Sequence, residues 1–234
     1  MKITEMNWMQ VEAYLKGDDR AVVPIGSTEQ HAQLSLGVDL ILSERVSVEA
    51  AELLGVPVLP SLPYGLTPYF AAYPGSPTLR TETYRAVVRD LLDSLYGQGF
   101  RRFLFVNGHG GNEPGQEVMV AWQAEHPDAR VRWHNWWSGP GVRATVDSID
   151  PDASHASWFE NFPWTRLQDV TQPAGRKPMA DISRMRELDP AEVRELLGDG
   201  SLGGLYERPD EDVLRVWQAG VEEVRDLLAN GWDA

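Results

Sequence analysis

Phe103-Leu104-Phe105-Val106-Asn107-Gly108-His109-Gly110-Gly111-Asn112 is the stretch on which the fold turns. Four apolar residues in succession, with no polar alternation, demand burial on both faces, as in a central strand of a parallel sheet. The glycines that follow end the strand and open a loop that presents one imidazole with little bulk around it. Upstream, Thr81 caps a predicted helix whose stripe Tyr84, Val87, Val88, Leu91, Leu92 and Leu95 stops near Gly97-Gln98-Gly99. Downstream, a helix over about Glu113–Glu125 leads to a strand near Arg130–Trp133.

The same alternation recurs toward the N-terminus. Ala21–Ile25 reads as a buried strand that stops at Gly26-Ser27, and a helix from about Leu40 carries Leu42, Val46, Ala50, Leu53 and Leu54 until Gly55. Val56–Leu59 is a further strand candidate, placed at an edge or starting late because of Pro57. Leu62–Leu79 is rich in Pro, Gly and Tyr and reads as a long ordered loop, a feature more often functional than ornamental. After Asn135 the periodicity fades until two helices, one opened by Asp189-Pro190 and one from Pro209 to Leu228 closed by Asn230-Gly231. Strand, helix and strand in alternation predict an α/β fold with a mainly parallel sheet flanked by helices on both faces. Ligands in such sheets bind beyond the carboxyl ends of the strands. One domain over residues 1–234 is expected.

Charge and composition narrow the partners. A formal charge of −14 and a pI near 4.7 disfavour nucleic acid, whose affinity rests on clustered Lys and Arg. No apolar run approaches the ~20 residues of a membrane span, and Met1–Glu5 lacks the apolar core of a signal peptide, so a soluble cytoplasmic protein is expected. Without cysteine, any metal must sit on His, Asp and Glu.

Three segments carry such residues: Gly26-Ser27-Thr28-Glu29-Gln30-His31 with Asp39 beyond, the loop around His109, and His155-Ala156-Ser157-Trp158-Phe159-Glu160. If the chain leaves Gly26 extended, Glu29 and His31 project to one side and can reach a common site. The blander alternatives stay open at this level. Glu29 and His31 can be loop residues with Asp39 a helix cap, and His109 incidental to a glycine turn or phosphate cradle. His155 can face the core with Glu160 in a surface ion pair. His126 reads as a solvated helix end, and His134, among Trp133, Trp136 and Trp137, as packing.

In order and spacing, Gly-Ser-Thr-Glu-Gln-His, then Asp, then Asn-Gly-His-Gly-Gly-Asn after a strand, then His-Ala-x-x-Phe-Glu resembles the creatininase (creatinine amidohydrolase) family, from roughly Ala21 to Glu160. The resemblance implies a three-layer α/β fold, a binuclear divalent-metal centre and hydrolysis of small amide or cyclic amide bonds, often in homohexamers. The family includes creatinine hydrolases and a formylaminopyrimidine deformylase. Carried over by position, Glu29 and His109 would bind one ion, His31 the second, and Asp39 both. Creatinine hydrolases carry a Glu two residues after the histidine matching His109. Here that place is Gly111, so Glu160 becomes the fifth ligand, with Glu113 a poorer substitute. The shortened run Ala32–Leu36, Ser154 before His155, and Asn161-Phe162 also depart from the family pattern and leave creatinine open as the substrate.

The expected chemistry is attack by a metal-activated water on a C–N bond of a small cyclic amide, lactam or formamide, with two ions of Zn, Mn or Fe. His155 is the imidazole expected to protonate the departing nitrogen. Tyr64, Trp136 and Trp158 are expected to close over a flat ring, and Ser76 to orient its polar edge. The expected partners are a small-molecule substrate and further copies of the chain. Three rivals stand beside this reading: a non-catalytic metal-dependent binding protein, a serine hydrolase using Ser27, and a phosphoesterase.

Overall fold

The segments Arg20–Ile25 (β1), Arg102–Asn107 (β2) and Arg130–Asn135 (β3) form one parallel sheet in the order β1-β2-β3, in a computed structural model that describes residues 1–185 and 187–232. Ile25 lies opposite Asn107, and Asn107 opposite Asn135, so the three strands end level and their following loops share one edge. Residues 56–62 touch β1 only through the isolated parallel bridges Val22↔Val58 and Ile25↔Leu62. The extra strand expected there is thus reduced to bridges, as Pro57 lacks an N–H for a ladder.

The helices are Trp8–Tyr14 (α1), Val38–Ala51 (α2), Thr81–Gly97 (α3), Glu113–Glu125 (α4), Pro140–Ile149 (α5), Ile182–Met185 (α6), Pro190–Leu197 (α7) and Asp210–Asn230 (α8). Alternation along the strands divides them into layers. Val22, Leu104 and Val106 face a core shared with α2, α5 and α8, which includes Leu42, Val46, Val142, Val146, Val216 and Val221. Ala21, Val23, Ile25, Phe103 and Phe105 face the other way, onto Tyr84, Val88 and Leu92 of α3 and Met119 and Trp122 of α4. These are the three layers that the alternation predicts.

The region after β3 holds what periodicity did not reveal. Helix α5 buries only Val142 and Val146, too short a stripe to stand out in sequence, and α1 buries none of its residues. Met185, Val193 and Leu197 from α6 and α7 pack on Phe70 and Tyr73 of the long loop, making a small third core. Arg176–Lys177 (β4) and Gly204–Leu205 (β5) form a short antiparallel pair beside it. The long loop and this arm therefore meet at the edge where β1 and β2 end.

Candidate metal centre

The first turn of α2 decides the site. A Cβ on Gly108 would collide with the Asp39 carbonyl oxygen, and one on Gly26 would stand 2.6 Å from the Leu40 nitrogen. Only glycine at both strand ends lets the helix approach this closely. Asp39 is thereby held between the loop after β1 and the loop after β2. It caps nothing: α2 begins at Val38 after Gly37, and the Asp39 carboxylate faces inward at 2% exposure.

Its two oxygens serve two different histidines. Asp39 Oδ1 lies 3.1 Å from His31 Nε2, and Oδ2 lies 3.1 Å from His109 Nδ1. Glu29 Oε1 stands 3.3 Å from His109 Nδ1 and 3.5 Å from His155 Nδ1, while Glu160 Oε2 stands 3.7 Å from His31 Nε2. Three overlapping groups could each hold a cation: Glu29, Asp39 and His109; His31, Asp39 and Glu160; and Glu29, His31 and His155. Tetrahedral ligand atoms about 2.0–2.2 Å from a zinc ion stand roughly 3.3–3.6 Å from one another. The observed separations of 3.1 to 3.7 Å match that spacing. Glu29 Oε2 and His31 Nε2 are moreover buried without a hydrogen-bond partner, the condition of lone pairs awaiting a cation.

The remaining ring nitrogens are engaged in the way metal-binding histidines require. His31 Nδ1 is 3.1 Å from the Glu29 carbonyl and His109 Nε2 is 2.8 Å from the Leu66 carbonyl, so each ring donates outward and turns a lone pair inward. Asn107 and Asn112 fasten the His109 loop. Asn107 Nδ2 donates to the His109 carbonyl (2.7 Å), and Asn112 Nδ2 donates to the Gly26 carbonyl (3.0 Å). Neither asparagine was singled out in sequence, although both flank the motif.

Electrostatics state the same demand for positive charge. Burial opposes ionisation of Asp39, yet the His31 and His109 imidazoles outweigh it and hold its carboxyl well below the usual range. Burial opposes charging of His31 too, but Asp39, Glu160 and Glu29 push it up to about 10, and His109 rises likewise against Glu29 and Asp39. Burial pushes Glu160 up to about 7. Two buried carboxylates and a third largely withdrawn from water draw protons onto neighbouring imidazoles, and divalent cations meet the same need.

Of the remaining expected residues, His155 is in the cluster, its ring stacked on Phe70 at 4.9 Å. Glu113, the poorer fifth ligand, lies exposed in the first turn of α4, whereas Glu160 is inside. A Cβ at Gly111 would collide with the Leu66 carbonyl oxygen, so that position has no space for a longer side chain. Ser76 Oγ accepts from the Gln30 N–H (2.9 Å) and braces the first motif, while Tyr64 is half-exposed. Trp136 and Trp158 correct the expectation of a ring closing over substrate. Both are sealed in the core, Trp136 stacked on Phe159, because the segment carrying them packs under α8. Ser27 is fully buried and donates to Asp39 Oδ2 (2.7 Å), which makes it a brace for Asp39 and disfavours a serine nucleophile. Among the described residues, Glu29, Asp39 and Glu160 pair only with histidines, so no Lys or Arg stands ready for a phosphate.

Known proteins share this fold and stretches of this sequence. The chain is 32% identical over 114 residues to a creatinine amidohydrolase of Pseudomonas putida, covering 46% of this chain and 44% of that one. It is 31% identical over 196 residues to the mycofactocin precursor peptide peptidase of Mycolicibacterium smegmatis, covering 76% and 73%. The chain spans less than half the length of two curated relatives, 44% of that creatinine amidohydrolase and 34% of a 3-dehydro-scyllo-inosose hydrolase of Thermotoga maritima. A solved mutant creatininase of the Zn-Zn type superposes with a TM-score of 0.78 at 23% identity, covering 100% of this chain and 98% of the other. The creatininase family model, described as creatinine amidohydrolase, matches residues 4–232, and the chain therefore belongs to the creatininase family.

Proposed function

We propose that this chain is a metal-dependent amidohydrolase that cleaves a C–N bond of a small cyclic amide, lactam or formamide at a binuclear centre. The observation that carries the reading is Asp39, whose two oxygens each stand 3.1 Å from a different histidine. Glu29 and His109 would hold one ion with it, and His31 and Glu160 the other. Two divalent ions so held supply an activated water and Lewis acidity toward a carbonyl. Zn, Mn and Fe all suit a carboxylate and imidazole set.

The chain's own residues do the rest. His155 is required by neither group that shares Asp39, and its Nδ1 faces the cluster 3.5 Å from Glu29 Oε1. Burial and the neighbouring His31 hold its ring well below the ordinary imidazole range, so it is neutral at rest and is assigned to take up the proton released by the attacking water and pass it to the departing nitrogen. Phe70 backs the imidazole and limits water on that side. The reading extends to one domain over residues 1–234, working in the cytoplasm as a homo-oligomer, with a hexamer the form implied by family resemblance. No described helix is long and apolar enough to cross a membrane. A second reading, hydrolysis of a peptide C–N bond, is favoured by the broader alignment with the peptide peptidase.

Metal analysis of the purified protein tests the first step, with about two ions per chain expected. A screen of creatinine, cyclic ureides, lactams, formamides and short peptides, with and without chelator, tests the second. Turnover that survives removal of all metal would sink the proposal.

A further inference from the structure

Gln30 lies between the two glutamate–histidine ligands of the first motif, yet its side chain belongs to none of the cation-holding groups. It is buried, and every polar atom it has is engaged. Its N–H donates to Ser76 Oγ (2.9 Å), and its Oε1 accepts from the N–H of Ala32 (3.1 Å), a residue forced to a φ of 50°. Its Nε2 donates to the Gly200 carbonyl (3.0 Å) and stands 2.9 Å from His155 Nε2, which is also 2.9 Å from the Gln30 carbonyl oxygen. One residue thus offers His155 Nε2 both an acceptor and a donor, and either tautomer of the ring finds a partner without turning.

The Gly200 contact ties in a second element. Residues 198–204 form a strap in which Gly198, Gly200, Gly203 and Gly204 all have φ between 64° and 116°. The Leu202 N–H donates to the His155 carbonyl (3.1 Å), and Ser154 Oγ donates to the Gly203 carbonyl (2.6 Å). A Cβ on Gly200 would collide with Gln30 Oε1, so the fit is tight from both sides. Glu29, His31 and Asp39 are at most 2% exposed, whereas the side chains of His155 and Glu160 are 15% and 14% exposed, so solvent reaches the cluster at His155, the residue to which the strap is bonded. The strap is also held from outside the site, by the Lys177–Asp199 ion pair and the Ala180 N–H on the Leu202 carbonyl (2.8 Å), so the Gln30 amide is its tie to the imidazole ring.

We propose that Gln30 is the positioning residue of this site: its amide fastens the strap 198–204 onto His155, so that release of the strap and reorientation of the imidazole occur together. The inference rests on the reading of this cluster as the active centre. Gln30 acts through His155 and the strap, not on the reacting atoms.

The test is hydrogen exchange on the full chain, as purified and after metal removal, for wild type, Gln30→Ala, Gln30→Glu and Gly200→Ala. Gln30→Glu keeps an acceptor for Ala32 but loses both N–H donors. Gly200→Ala attacks the contact from the strap. All three are expected to raise exchange in 198–204 about tenfold, the equivalent of one lost hydrogen bond, while β1 and β2 stay protected. The ring-nitrogen NMR shifts of His155 should move in both Gln30 variants, and chelator should strip metal faster at unchanged starting metal content. Unchanged strap exchange in Gln30→Ala, wild-type behaviour of Gln30→Glu, or a rise spread evenly over β1 and β2 would each overturn the proposal. A wild type that binds no metal would defeat the proposed function alone, because exchange in the metal-free chain still decides the role of Gln30.

Discussion

Glu29, His31, Asp39 and His109 hang from the ends of β1 and β2 and from the first turn of α2, whereas His155 and Glu160 sit on a segment with no strand of its own. The first wall is held by the sheet and by two glycines that admit the helix. The second is held by contacts remote in sequence, Gln30 and Leu202 on His155, and by one local bond, the Ala156 N–H on Glu160 Oε2 (2.6 Å). Ala156 adopts a φ of 57° to make that bond, a conformation costing of order 1–3 kcal/mol in a residue with a Cβ. The contrast teaches that strand ends fix the shared ligand, while strain and long-range bonding bring up the second wall.

The sharpest way to break this contrast is Asp39→Asn. If Asp39 joins both groups, the variant should lose both ions and all turnover, measured by metal analysis after dialysis; retention of two ions would refute a shared ligand. His155→Ala comes next, with metal content kept and turnover reduced ~10²- to 10⁴-fold. A metal-replete His155→Ala with wild-type turnover would remove His155 from the chemistry. Glu160→Gln should separate the walls, retaining the ion of Glu29, Asp39 and His109 and giving up the other, so that about one ion per chain remains. Loss of both, or of neither, would show that the walls are not independent.

His134 supplies a control outside both walls. Its Nε2 is buried without a partner, and burial alone pushes it down to about 4, opposite to His31 and His109 among their carboxylates. The unfolded chain takes this proton first, near pH ~6.5, so the stability His134 permits is present above that pH and lost as pH falls toward 4. The loss amounts to about 3 kcal/mol at most. Urea unfolding of His134→Gln should show a correspondingly shallower fall between neutral pH and pH 4; parallel curves would discount His134. The smallest effect is expected from Asn107→Ala, which removes the amide bonded to the His109 backbone while leaving every candidate ligand side chain in place, and should weaken metal affinity ~10- to 100-fold in a chelator competition. An unchanged affinity would mean that the glycines alone hold the loop.

The legible part of the molecule was the part encoded locally. Phe103–Val106 showed a strand buried on both faces, and the glycines after it showed a loop that presents His109, because each pattern is complete within ten residues. Helix α5 escaped because a stripe of two valines has no period to detect, whereas Val56–Leu59 lies along the edge strand β1 as Pro57 implied, held there by bridges and not by a full ladder. The tryptophans misled for another reason: an indole beside a site motif looks the same in sequence whether it lines a cavity or fills a core.

From sequence alone follow the alternation of elements, the layered α/β fold, the absence of thiolate ligands and the set of acids and imidazoles available to a metal. Those depend on residue type and on spacing along the chain. Only tertiary structure put Glu160 beside His31 and left Glu113 exposed, turned Asp39 from a helix cap into a residue facing two histidines, buried Trp136 and Trp158, and bound Gln30 to Gly200. Each of those outcomes is set by which distant segments pack within a few ångströms of one another, and chain spacing carries no measure of that distance.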